Sequence, residues 1–97
     1  MKYQLFFHPS AEIELLESSN WYADKSFLVN QIFTSEIESL TSIIQKKPFV
    51  FQIAYENKRK ANLKDFPYSI IFAIHGNRIL IYSVFHNSRN PKIWKNR

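Results

Sequence analysis

Tyr68-Ser69-Ile70-Ile71-Phe72-Ala73-Ile74-His75, Gly76-Asn77, and Arg78-Ile79-Leu80-Ile81-Tyr82-Ser83-Val84-Phe85-His86 form one continuous stretch, and its reading decides the fold. Both arms are rich in β-branched and aromatic residues, which suit a pleated, half-buried surface. The glycine–asparagine pair between them supplies a two-residue hairpin turn. If His75 opposes Arg78, strict alternation places Tyr68, Ile70, Phe72 and Ile74 on one face with Ile79, Ile81 and Phe85. That apolar face should carry helices. The other face then holds Ser69, Ile71, Ala73, Leu80, Tyr82, Val84 and His86, a mixture that needs cover at least part of the time.

Working outward, Lys58 to Lys64 alternates charged or polar residues with small and apolar ones and reads as a third strand. Phe49 to Tyr55 is open between loop and strand. Upstream the period changes to that of helices. Val29, Phe33, Ile37, Leu40 and Ile44 step by four or three residues, with Ser26 as N-cap and Pro48 as terminator. Some 20 residues make this helix about 30 Å long. An earlier helix opens at Pro9-Ser10, with Ser10 placed to cap it, and carries Ala11, Leu15, Ser19 and Tyr22 on one stripe. The tight join at residues 23–26 implies a helical hairpin, with Trp21-Tyr22 packing the join. Lys2 to Phe7 reads as a first short strand ended by Pro9. The expected architecture is α+β in the order β-α-α-β-β-β: an N-terminal strand, then a helical hairpin on one face of a small, mainly antiparallel sheet.

Ninety-seven residues, 45% apolar and 16% aromatic, are enough for one domain with its own core, so residues 1–97 are read as a single unit. One glycine and no repeat or low-complexity tract argue against a linker. No apolar run reaches the about 20 residues that span a bilayer, and residues 1–9 do not form a signal peptide. Without cysteine there is no disulfide framework, zinc–thiolate site or thiol nucleophile. A cytoplasmic protein with no membrane role is expected. Charge is divided unevenly. Residues 1–44 carry two lysines against six carboxylates, a net of −4; residues 45–97 carry eleven Lys and Arg against Glu56 and Asp65, a net of +9. A basic half on a small domain favours an anionic partner.

The C-terminal half also carries two motifs in order. Lys58-Arg59-Lys60-Ala61-Asn62-Leu63-Lys64-Asp65-Phe66-Pro67-Tyr68 resembles the basic strand and "FPY" segment of RelE/ParE toxins. Val84-Phe85-His86-Asn87-Ser88-Arg89-Asn90-Pro91-Lys92-Ile93-Trp94 is similar to their closing "H-x-x-R-x-P-x-x-W". Ala11, Glu14 and Trp21-Tyr22 add a weaker match in the first helix. The resemblance covers nearly the whole chain and lies closer to the ParE-like, plasmid-stabilisation branch. It implies a growth-inhibiting toxin of a type II toxin–antitoxin module, neutralised by a cognate antitoxin that lays an acidic, amphipathic segment on the mixed sheet face or along the helical hairpin. ParE-like members act on DNA gyrase without being nucleases. RelE-like members cleave mRNA in the ribosome. An inactive, antitoxin-binding relic is a third possibility.

The chemistry follows from these alternatives. Two carboxylates in the basic half and three histidines without ligand-like spacing do not make a metal site, and neither a cofactor nor a small-molecule substrate is expected. A metal-free ribonuclease needs a base for the 2′-hydroxyl, cations for the phosphate and an acid for the leaving oxygen. His86, with Arg89 and Arg59, are the catalytic candidates for that case. Arg59, Lys60, Lys64, Tyr82, Arg89 and Trp94 are the candidates for binding a target or nucleic acid, Tyr82 and Trp94 by stacking. Alternation places His86 and Tyr82 on the same face, opposite the helices. Each candidate also has a structural reading: a solvated strand face for Arg59, Lys60 and Lys64, a capped turn for Arg89, a tail anchor for Trp94. RelE-like nucleases carry a tyrosine after the last strand, whereas this chain has Ile93 and Trp94, and tryptophan has no acid–base chemistry.

Overall fold

In the computed structural model, which describes residues 3–97, the chain runs β1 (Gln4–Phe7), α1 (Pro9–Lys25), α2 (Phe27–Lys46), a 3-10 turn (Pro48–Val50), β2 (Gln52–Tyr55), β3 (Lys58–Asn62), β4 (Tyr68–His75), β5 (Arg78–His86) and α3 (Lys92–Lys95). The strands form one five-stranded sheet in the order β1-β5-β4-β3-β2. β1 lies parallel to β5 at one side of the sheet; the other pairs are antiparallel. The segment left open between loop and strand resolves into a short edge strand, β2, and of the expected first strand Lys2 lies outside the described residues.

His8, not Ser10, caps α1. Its Nδ1 accepts a hydrogen bond from the Ser10 backbone N–H at 3.1 Å, and Pro9 occupies the first turn, where a missing N–H costs nothing. Ser26 caps α2 as expected, accepting from the Val29 N–H at 3.3 Å. The tertiary contacts then favour helix over strand for the apolar run behind it. Phe33, Ile37 and Ile44 of α2, with Ala11 of α1, meet Ala61, Ile70, Phe72, Ile79, Ile81 and Val84 of the sheet in one buried cluster. Burying a side chain of this kind contributes about 1.5–3 kcal/mol. Tyr22 adds an aromatic bridge, with ring centres 4.9 Å from Phe33 and 5.0 Å from Phe66. Trp21, expected to pack the helix join, is instead 56% exposed.

The β4–β5 hairpin starts in the expected register, His75 opposite Arg78 and Phe72 opposite Ile81. Gly76 has φ +63°, the left-handed conformation its position in the turn demands. One step further the register shifts: Ile71 pairs with Ser83, and Tyr82 is the extra residue of a β-bulge. An inserted residue reverses the parity of everything beyond it. Val84 therefore joins the core under the helices, and Phe85 moves to the opposite face with Ile71 and Trp94. Simple alternation assigns both residues the other way round.

The bulge lies where β5 loses its neighbour. β1 ends at Phe7, and beyond it the edge of β5 is closed by side chains. Glu14 of α1 accepts from the Val84 N–H at 3.2 Å and from Ser83 Oγ at 2.8 Å. Arg97 donates to the Tyr82 carbonyl at 2.8 Å and grips Glu14 through both guanidinium Nη atoms, at 2.8 and 2.9 Å. This ion pair does for the strand edge what another strand would do.

Candidate functional site

The three segments that carry the sequence resemblance converge. At the end of the sheet, α1, the start of β4 and the turn after β5 enclose a cleft of about 530 Å³. Its walls include Glu17, Trp21 and Tyr22 from the helix, Tyr68 from β4, and His86 and Arg89 from the closing motif. Tyr68 and His86 are cross-strand partners, their rings edge-on at 4.9 Å. The turn that carries Arg89 is fixed by backbone bonds from Asn87 N–H to the Pro67 carbonyl (2.9 Å) and from Arg89 N–H to the His86 carbonyl (3.0 Å). Burial pushes the phenols of Tyr22 and Tyr68 above their ordinary value. For Tyr68 the neighbouring Tyr22 adds to this and the Arg89 guanidinium opposes it. Both remain neutral hydroxyls at physiological pH.

The His86 ring is held by the turn that follows β5. Its Nδ1 accepts from the Ser88 backbone N–H at 3.1 Å and lies 2.7 Å from Ser88 Oγ. In the neutral ring this places the proton on Nε2, so the free nitrogen is a donor. The cleft thus brings the His86 ring and the Arg89 guanidinium together with the Glu14 and Glu17 carboxylates of α1.

The remaining candidates lie elsewhere. Lys60 and Tyr82 are on the sheet face turned away from the helices. There Tyr82 Oη lies 3.2 Å from His75 Nε2. The bulge separates Tyr82 from His86, so the expectation that both share the face opposite the helices does not hold. Trp94 is on the open face too but only 3% exposed, its ring 6.1 Å from Phe85. It anchors the short α3 and has no free face on which a base might stack. Arg59 projects to the helix side, where it donates to the Phe51 carbonyl at 2.6 Å and lies 5.2 Å from the Phe49 ring. It clamps β3 to the 3-10 turn. Lys64 follows β3 beside α2, with its backbone N–H held by Glu36 at 3.0 Å and its side chain in solvent. The candidate list therefore divides over three surfaces.

Two residues with evident roles were not singled out as site residues by the sequence. Glu14 entered only as part of a weaker match in the first helix, yet it closes the β5 edge. Lys58 looked like one more cation of the basic strand, yet it is 6% exposed, with Nζ 4.7 Å from the centre of the Tyr82 ring. The signal available for Lys58 was its spacing: two residues from Lys60, it shares that residue's face and not that of Arg59.

No family model matches this chain, and no curated protein matches it. Among solved structures the chain is similar to one described as the chromosomal ParDE TA system from P. aeruginosa. The two are 17% identical, the likeness covers 88% of this chain and 96% of that one, and the TM-score is 0.70. At that identity the likeness is one of fold: an N-terminal strand, a helical hairpin and a mixed five-stranded sheet, a ParE/RelE-like α+β architecture. Among the described residues no helix is long and apolar enough to cross a membrane.

Proposed function

We propose that this chain is the toxin of a toxin–antitoxin module, held inactive by a cognate antitoxin and acting, as ParE-like toxins do, by poisoning DNA gyrase without cleaving nucleic acid itself. The fold likeness to a ParDE chain over nearly its whole length supports the module. The observation that carries the choice of mechanism is the dispersal of the nuclease candidates. Ribonucleolysis needs a base, an acid and cations within about 3 Å of the atoms they serve. Here His86 and Arg89 line the cleft, Tyr82 and Lys60 lie across the sheet, and Arg59 is engaged by backbone carbonyls. His86 presents an N–H where a base needs a lone pair.

Induction in bacteria, with and without the small acidic protein expected to be encoded beside it, tests the reading. The expected result is growth arrest with gyrase-linked DNA breaks, relieved by co-expression, and undiminished in His86→Ala. Cleavage of ribosome-bound mRNA that disappears in His86→Ala would establish the RelE-like alternative instead, and unaffected growth would leave an antitoxin-binding relic.

A further inference from the structure

Between α1 and α2, apart from the cleft at the end of the sheet, runs a groove of about 440 Å³. Phe7, Leu15 and Ile37 line it and pack on the core, while Leu16 stands beside them 62% exposed. The two hydroxyls in the lining are already engaged. Ser19 Oγ donates to Asn30 Oδ1 at 2.8 Å, and Thr34 Oγ1 to the Asn30 carbonyl at 3.1 Å. What remains for a ligand is carbon surface and two exposed carboxylates, Glu12 of α1 and Glu38 of α2.

The apolar surface continues past the groove. Phe27, two turns before Thr34, lies on the same stripe of α2 and is 72% exposed. Ile13, also exposed, stands beside Leu16 on α1. From Phe27 to Glu38 the stripe is about 16 Å long, three turns of a helix. Its charge is one-sided. The two helices carry six carboxylates against Lys25 and Lys46. Arg97 takes Glu14, and the backbone N–H groups of Lys64 and Asp65 take Glu36. Among the described residues Glu12 and Glu38 form no ion pair, and Lys25 lies over the Trp21 ring at 5.2 Å.

We infer that this groove seats a cationic amphipathic helix of a partner protein, with apolar side chains on Leu16 and Phe27 and a Lys or Arg on Glu12 and Glu38. Ridges of such a helix fit the furrow between two others, and its apolar stripe supplies the missing cover. The acidic segment that the family resemblance implies for an antitoxin would meet like charge here, so the occupant is a different partner. A nucleic-acid strand is excluded by the same carboxylates. A small cation covers only one end of a stripe this long. The inference goes beyond the toxin reading and concerns a surface that reading leaves unused.

The test uses purified protein and no cells, so its failure is distinct from failure of the toxin reading. A synthetic helix of about four turns, Leu on one face and Lys on the other, is titrated calorimetrically, and so is its twin with Glu in place of Lys. The chain as a whole carries +5, so unspecific attraction favours the Glu peptide. The Lys peptide should nevertheless bind more tightly, one per chain. Leu16→Ser and Phe27→Ser, both at exposed positions, should each weaken it about tenfold, the effect of one large apolar contact. Glu12→Gln with Glu38→Gln should weaken it about fivefold, whereas Glu56→Gln, in the distant β2–β3 turn, should change it little. Absence of Lys-peptide binding, equal or tighter binding of the Glu peptide, or affinity indifferent to Leu16→Ser and Phe27→Ser would overturn the proposal. So would a dimer in sedimentation that Leu16→Ser dissolves, since a second copy would then fill the groove.

Discussion

Under the helices, Phe33, Ile37 and Ile44 press on Ile70, Phe72, Ile79 and Ile81 in a continuous apolar layer. On the other side of the same strands, Ile71, Phe85 and Trp94 make a small cluster beside Lys58 and Tyr82, with a buried Trp94 Nε1 lacking an acceptor. The first face is the larger and is covered by two long helices, though Glu36 Oε2 of α2 is buried there without a donor. The second is only partly covered, by a four-residue helix and one lysine reaching to Tyr55. The contrast is one of cover: long amphipathic helices bury the large layer, whereas a single short helix and a few lysine stems bury the small one.

The contrast is broken or sharpened by measurement. Phe33→Ala, at the centre of the larger face and fully buried, should cost about 4 kcal/mol in denaturant unfolding, the usual range for an aromatic truncated in a packed core. Glu14→Ala should cost about 3 kcal/mol, because it leaves Arg97, the Val84 N–H and Ser83 Oγ without their acceptor. Trp94→Ala should cost about 2 kcal/mol, since a short terminal helix relaxes around the loss more easily than the core does. If Trp94→Ala proved as damaging as Phe33→Ala, the two faces would be energetically alike and the contrast would fail.

The smallest effect is invisible at neutral pH. Tyr22 and Tyr68 hold their protons more tightly folded than unfolded, whose ordinary value is 10.0. The folded state therefore binds more protons in the alkaline range, so the stability these groups contribute is complete below that value and is lost as pH rises through the raised folded values. Unfolding measured from about pH 9 upward should show this decline, and the Tyr22→Phe, Tyr68→Phe double variant should flatten it. A decline unchanged in the double variant would assign it to other groups.

Much of the fold was legible in residue order. Ser26 and Pro48 bracket α2, the spacing of Phe33, Ile37 and Ile44 identifies its buried face, and Gly76-Asn77 joins the two longest strands. The candidate site was legible only in part. His86 and Arg89 do meet, because they belong to one short turn. Tyr82 parts from His86, and Arg59 from Lys60, for two different reasons. Adjacent residues on a strand face opposite ways, which was readable for Arg59 and Lys60. The bulge at Tyr82 was not readable, since nothing in Ile81-Tyr82-Ser83-Val84 marks an inserted residue. It coincides with contacts from far away in sequence: the end of β1, and the reach of Glu14 and Arg97 to the bare edge of β5.

Local chemistry alone therefore determined the helical hairpin and the β4–β5 hairpin, since capping, periodicity and turn residues act over a few positions, while β2 and α3 were not legible that way. Tertiary structure decided which side each residue of β5 faces after Tyr82, and that Lys58 is buried over the Tyr82 ring while Arg59 turns to the Phe51 carbonyl. Both depend on contacts between distant parts of the chain, and only the packed sheet brings those parts together.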